Sequence, residues 1–365
     1  MISLSDSAAG TARPALLAGL ADAMRRHAVL ALLVGIYLLA AIAVSFVTGQ
    51  SFDWQALVGA AFFLAVFAPV FLTLHLVARV LWMAFAVRPE SPLRWLAADI
   101  RRLLADGRRL FDGFVVVALL IVFIAIFSQL KNAIPLLAPF AWDRTFAAWD
   151  AALHGGVQPY RWLLAVLGGN LAISVVNFLY HLWFFVVFFV VLSAAFSKNR
   201  RLRLAFFYAF FLSWAAGGSL LATLFSSAGP VYFDRLGLGD AFLPLMAHLR
   251  AAAETVPVWA LQVQDTLWES YLAGGASYKG ISAMPSMHVG SAVLVALYGF
   301  RVHRAAGVAL SVFALAIMVG SVLLGWHYAI DGYAGALVAV ACWAVARRMA
   351  GLAPAGRDRR EAVIA

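Results

Sequence analysis

Apolar residues in this chain come in long unbroken runs, separated by stretches where arginines gather. Eight runs fall near 28–47, 56–86, 112–130, 171–196, 204–226, 287–302, 305–325 and 328–346. Most approach the ~20 residues that a helix needs to cross about 30 Å of hydrocarbon. In lipid each run must satisfy its own backbone hydrogen bonds, so the pattern predicts an all-α transmembrane bundle of about eight spans. The second run is long enough to tilt or to extend into the interface. Residues 93–111 differ. There Leu93, Leu96, Ile100, Leu103, Leu104 and Leu110 recur at helical spacing between Arg94, Arg101, Arg102, Arg108 and Arg109. That alternation predicts an amphipathic helix lying on the membrane surface. Two long connections, about 131–170 and 227–286, are rich in Pro, Gly, Trp and charge and are expected to cover one face of the bundle.

Composition agrees with the pattern. Hydrophobic residues make up 64% of the chain and charged residues only 12%, against about a quarter charged in a soluble domain. The net charge of +10 does not point to nucleic acid, because the basic residues lie between apolar runs. They read as orientation signals and headgroup contacts. If the N-terminus is cytoplasmic and the spans alternate, 21 of the 27 Lys and Arg residues face the cytoplasm. The expectation is a multi-pass protein of a bacterial inner membrane with both termini inside. The run 28–47 follows Arg13, Arg25 and Arg26 but lacks a convincing cleavage site, so it reads as a retained span. The single cysteine, Cys342, has no intrachain partner and implies no disulfide. The chain divides into N-terminal spans with the interfacial helix (1–111), a catalytic membrane unit (112–346) and a basic tail (347–365). Nothing in the pattern reports oligomeric state.

Chemistry gathers at two short strings. Ser282-Ala283-Met284-Pro285-Ser286-Met287-His288 leads into the sixth run, with Pro285 suited to a first helical turn. A histidine there lies near a helix N-terminus, where free N–H groups attract an anion such as phosphate. Thirty-nine residues after His288, Gly325-Trp326-His327-Tyr328-Ala329-Ile330-Asp331 sets a histidine and a carboxylate four residues apart. On a helix they share a face, so Asp331 can hold one imidazole nitrogen protonated and leave the other free to attack. The topology puts His288, His327 and Asp331 at one membrane face, the extracytoplasmic one.

Pro-Ser-x-His followed by His-x-x-x-Asp, in paired spans near the C-terminus, resembles the type 2 phosphatidic acid phosphatase superfamily. The fuller strings Ala-Met-Pro-Ser-Met-His and His-Tyr-Ala-Ile-Asp look most like its inositol phosphorylceramide synthase branch. The resemblance spans about residues 170–346. It implies that His327 attacks a lipid phosphorus to form a phosphohistidine, oriented by Asp331. His288 would then serve as general acid toward the leaving oxygen and as base toward the acceptor, with no metal or other cofactor. One departure matters: the superfamily's arginine six residues before the nucleophile is Ser321 here. The Arg-Pro pair Arg88-Pro89 falls on the cytoplasmic side. Phosphate charge still needs a partner, and the candidates on the outer face are Lys279 and Arg235, with Tyr232, Ser286 and Tyr180 as further substrate contacts.

Membrane lipids are therefore the expected substrates, for headgroup transfer or, with water as acceptor, for hydrolysis of a lipid or polyprenyl phosphate. A histidine proton relay in a transporter or channel is the alternative of another class, but such sites favour broken helices at the midplane. A metal site built on His288, His327 and Asp331 lacks ligands from a single tight motif. Ser286 reads more readily as a helix cap or phosphate contact than as a nucleophile. Asp143, Asp150 and His154 are expected to be solvated in the first outer loop. His181 is expected to line the lipid pocket or pack, and Trp183 to Phe189 to face lipid. His75, His248 and His303 carry no usable signal.

Overall fold

The computed structural model describes residues 17–274 and 280–352, and among these there is no strand. In chain order the helices are α1 (Ala28–Thr48), α2 (Trp54–Val87), α3 (Pro92–Ala105) and α4 (Gly107–Leu137), followed by α5 (Asp143–Leu153) and α6 (Pro159–Leu167). Next come α7 (Asn170–Ala195), α8 (Arg200–Leu224), α9 (Leu243–Ala253) and α10 (Trp259–Ala273). The last three are α11 (Met287–Val302), α12 (Arg304–Leu323) and α13 (Ala329–Met349). Seven of them, α1, α2, α4, α7, α8, α12 and α13, are long and apolar enough to cross a membrane. The eighth expected span, α11, matches its run but has only 16 residues, about 24 Å of helix. It compensates by position, lying between α8, α12 and α13.

Capping side chains fix where several helices begin. Asp53 accepts from the N–H groups of Gln55 and Ala56 at α2, Asn199 from Leu202 at α8, and His303 from Ala305 at α12. The same device corrects the surface helix expected over 93–111. The Asp106 carboxylate accepts from Arg109 N–H and restarts the chain as α4 at Gly107. Arg108, Arg109 and Leu110 therefore belong to a helix long and apolar enough to span, and the amphipathic helix is confined to α3.

α8 is the central element, with 67% of its apolar window enclosed by protein, whereas α2 has only 17% enclosed and presents Val58, Phe62 and Leu72 outward. Both α1 and α2 pack against α4. Near one end of the bundle the buried Asp112 accepts from Arg203 and Arg26, a pairing that lets three charges sit among apolar helices. Asp53 N–H donates to Gln129 Oε1, so α2 starts beside the far end of α4 and finishes, with Arg88 and Pro89, at the Asp112 end. The long connections hold α5, α6, α9 and α10. From residue 353 onward the basic tail lies outside the described residues.

Candidate active site

The two motif-bearing helices touch backbone to backbone. A Cβ on Gly335 would meet Ser286 O at 2.2 Å, and one on Gly290 would meet Gly335 O at 2.9 Å, so only glycine permits this crossing of α11 and α13. Across it, Ser286 N–H donates to Asp331 O at 2.8 Å. Ser286 is fully buried and caps α11, accepting from Val289 N–H. Pro285 thus precedes the cap instead of entering the first turn. The cap places His288 in that turn, with Tyr180 stacked on its ring at 5.0 Å and Trp183 at 4.3 Å. Trp183 Nε1 also donates to His288 O and Ser291 Oγ, both at 3.0 Å. Trp183 is accordingly buried, not lipid-facing, although Phe184 and Phe185 of the same stretch are exposed.

His327 sits in the turn between α12 and α13, its N–H donating to Ser321 O at 3.0 Å. Its Nδ1 lies 3.4 Å from Asp331 Oδ2, while the same oxygen accepts from Tyr328 N–H at 3.0 Å. The contact is longer than a good hydrogen bond, a spacing that catalytic pairs often show before substrate binds. With Nδ1 turned toward the carboxylate, Nε2 is the nitrogen left for chemistry. The rings of His288 and His327 are 6.3 Å apart, centroid to centroid. One phosphoryl group can touch both.

Both imidazoles line a cavity of about 260 Å³ whose other walls include Phe127, Phe184, Trp214, Val263 and Leu267. Tyr180, His181 and Tyr232 also line it, and so does Lys131, from the last turns of α4. Among the described residues no carboxylate pairs with Lys131. Next to it, Gly280 N–H donates to Asn132 Oδ1, and a Cβ on Gly280 would meet Lys131 O at 2.5 Å. The loop leading to His288 is therefore pressed onto the turn that carries this cation. Sequence reading missed Lys131 because the third run was ended at residue 130. The signal was an ionisable residue one position past an apolar run, which deserves a functional reading by default.

A family model described as the PAP2 superfamily matches residues 144–345, more than half of the chain. The chain belongs to the PAP2 superfamily. No curated protein and no solved structure matches. PAP2 superfamily members are phosphatases and phosphotransferases acting on lipid phosphate esters, and this chain is such an enzyme. The match leaves α1–α4, and with them Lys131, outside its limits.

Other expected residues of this PAP2 protein fall differently. Arg235 is absent from the cavity wall; its guanidinium pairs with Asp265 and lies over the rings of Tyr232 and Trp268. Lys279 lies outside the described residues. Ser321, in the arginine's place, is buried and donates to Ile317 O at 2.7 Å, with the Tyr180 hydroxyl beside it. His248 bonds Gly168 O, away from the site. No trio of His, Cys, Asp and Glu is grouped to hold a metal ion among the described residues.

The largest correction concerns α5. Asp143 and Asp150 are not solvated; both are 1% exposed. Asp150 accepts from Ala329 and Ile330 N–H, the first free donors of α13, at 2.9 and 3.2 Å. Asp143 accepts from Ala228 and Gly229 N–H at 2.9 and 2.8 Å and from the Tyr328 hydroxyl at 2.9 Å. His154 completes the strap, its Nε2 2.9 Å from Tyr333 Oη. Burial raises both carboxyl pKa values, and the hydrogen bonds they accept hold them partly down. Burial and the nearby Asp143 charge push the Tyr328 phenol well above its usual value. One short helix thus grips the turn that presents His327 and the start of the helix that carries Asp331.

Proposed function

We propose that the chain is a lipid phosphotransferase, moving a phospho-headgroup of the inositol-phosphate kind between lipids through a phosphohistidine. The observation that carries this reading is His327, paired with Asp331, facing His288 and Lys131 across one cavity. His327 Nε2 attacks phosphorus, and the bond from phosphorus to the departing lipid oxygen breaks. His288 gives its proton to that oxygen. The acceptor hydroxyl then loses its proton to His288 as its oxygen attacks, the P–N bond breaks, and His327 returns unchanged. Asp331 stabilises the positive ring that forms at each step, and Lys131 balances the charge on the non-bridging oxygens. Apolar walls suit acyl chains and limit the water that would compete with an alcohol acceptor. The likeness of residues 283–288 and 327–331 to the synthase branch supports transfer over hydrolysis. The excess of Lys and Arg in the other set of connections supports a site at the extracytoplasmic face.

The test uses purified protein with phosphate-labelled phospholipids, with and without candidate acceptor lipids. Transfer predicts a labelled lipid product that appears only with acceptor. A water-soluble phosphate as the sole labelled product, whatever the acceptor (the phospho-headgroup from a diester lipid, free phosphate from a monoester), identifies a hydrolase using the same residues. Protease or cysteine-label accessibility of the α9–α10 connection in oriented membrane vesicles tests which face holds the site.

A further inference from the structure

A second polar cavity lies at the other end of the bundle. Its volume is about 240 Å³, and its walls bring together the end of α2, the surface helix α3, the start of α4 and the connection from α7 to α8. Arg109 lies on the same helix as Lys131, on the order of 30 Å away at 1.5 Å per residue. The two cavities therefore sit near opposite membrane faces.

Four permanent cations line this cavity, Arg79, Arg102, Arg109 and Lys198, against one carboxylate, Asp99. Arg79 uses that carboxylate, holding it by Nε at 2.8 Å, and Arg102 approaches it only to 3.8 Å. Arg109 donates to the carbonyl of Phe196, which carries no formal charge. Lys198 pairs with no carboxylate among the described residues. The arrangement is held in place: Arg79 also lies over the Trp95 ring at 5.5 Å, locking α3 against α2. On the same helix α3, Leu93, Ile100 and Leu104 are exposed. A cationic hollow beside outward apolar side chains is what a lipid presents in reverse, an anionic head at the interface with acyl chains next to it.

We propose that this cavity binds the phosphate-bearing headgroup of an anionic phospholipid in the leaflet opposite the histidine site, seating α1–α4 in that leaflet. The chemistry is recognition of a phosphate oxyanion by guanidinium and ammonium groups, strengthened by the low dielectric of the interface. It uses none of the catalytic side chains, so it stands apart from the reaction proposed above.

The test uses the full chain in a neutral detergent, titrated with short-chain phosphatidylglycerol, short-chain phosphatidylcholine or inorganic phosphate, with bound lipid counted by native mass spectrometry. Wild type and His327→Ala should retain phosphatidylglycerol over phosphatidylcholine, and Arg102→Ala/Lys198→Ala should lower that preference about tenfold. Millimolar inorganic phosphate should displace little of the lipid. An unchanged preference in the double variant overturns the proposal. Displacement by inorganic phosphate at the lipid's own concentration also overturns it, and identifies a free-anion site. If the double variant does not fold, salt decides on wild type alone. Phosphatidylglycerol retention that is the same at 0.1 and ~0.5 M salt refutes a charge-held headgroup, and a steep fall supports it.

Discussion

Replacing Lys131 by methionine separates a phosphate-binding cation from a structural one, because the two roles predict opposite signs for stability. Methionine keeps nearly the length and apolar stem of lysine and removes the ammonium. Lys131 and both imidazoles line the same cavity of about 260 Å³, so an ammonium extended into it can meet a phosphoryl group there, at a contact separation of about 4 Å. At an effective dielectric near 20, one such charge pair amounts to about 4 kcal/mol. Removal of a single preorganised donor elsewhere lowers rates by about 10²–10³-fold. The loss in kcat/KM for Lys131→Met should fall in that range, shared between KM and kcat because phosphate is charged in both ground and transition states. Without substrate the ammonium lacks a carboxylate partner among the described residues, so its removal should hold or raise the melting temperature in detergent. Labelled-lipid turnover and a thermal shift measured on one preparation give both numbers. Activity within about threefold of wild type refutes the assignment. A large loss of activity together with a lower melting temperature refutes it too, since that pairing belongs to a structural lysine.

Further outcomes follow from the same geometry. His327→Ala, His288→Ala and Asp331→Asn should each abolish turnover in the labelled-lipid assay while chelator leaves wild type active; substantial activity in His327→Ala would remove the phosphohistidine. Asp150→Ala leaves two buried N–H groups of α13 without an acceptor and should lower stability by about 2–4 kcal/mol. Asp150→Asn, which keeps one acceptor oxygen, should recover part of that loss, measured as melting temperature and kcat together. Asp143 has its folded pKa raised above the usual 3.8 by burial. The folded chain therefore holds more protons than the unfolded one between 3.8 and the raised value, and stability should fall as pH rises through that window. Asp143→Asn should flatten the slope, and a slope unchanged in that variant counts against the carboxyl. Gly335→Ala drives a Cβ into Ser286 O at 2.2 Å and should separate α11 from α13, read as lost activity and a lower melting temperature.

Much of this architecture was legible in the chain. Spanning helices announce themselves because a run of about 20 apolar residues is a local property that the bilayer rewards wherever the run occurs. The pairing of His327 with Asp331 was legible from their four-residue spacing, although the structure makes it across the start of α13, where Tyr328 is the cap and His327 lies in the turn before it. Capping is local too, and Ser286 could be read as a cap beside a phosphate contact; burial left it the first role. Where an apolar run ends is less sharply written. Asp106 moved the start of α4, and the turn holding Lys131 stayed helical past the point where hydropathy falls.

Tertiary structure decided which distant groups meet. Nothing in the neighbourhood of Asp143 says that its carboxylate will reach a hydroxyl 185 positions away, at Tyr328. A charged residue in a polar loop reads as solvated until packing encloses it and supplies N–H donors. Trp183 belongs to an aromatic stretch that suits lipid or protein equally, and only the approach of α11 gave its indole a partner. Arg235 and Lys131 were both single cations near the same membrane face. Asp265 took one, and α4 delivered the other to the cavity. Helix formation follows from side chains within a few turns, whereas a catalytic pocket in a bundle is made of residues that share no sequence neighbourhood, and only the packing of whole helices selects them.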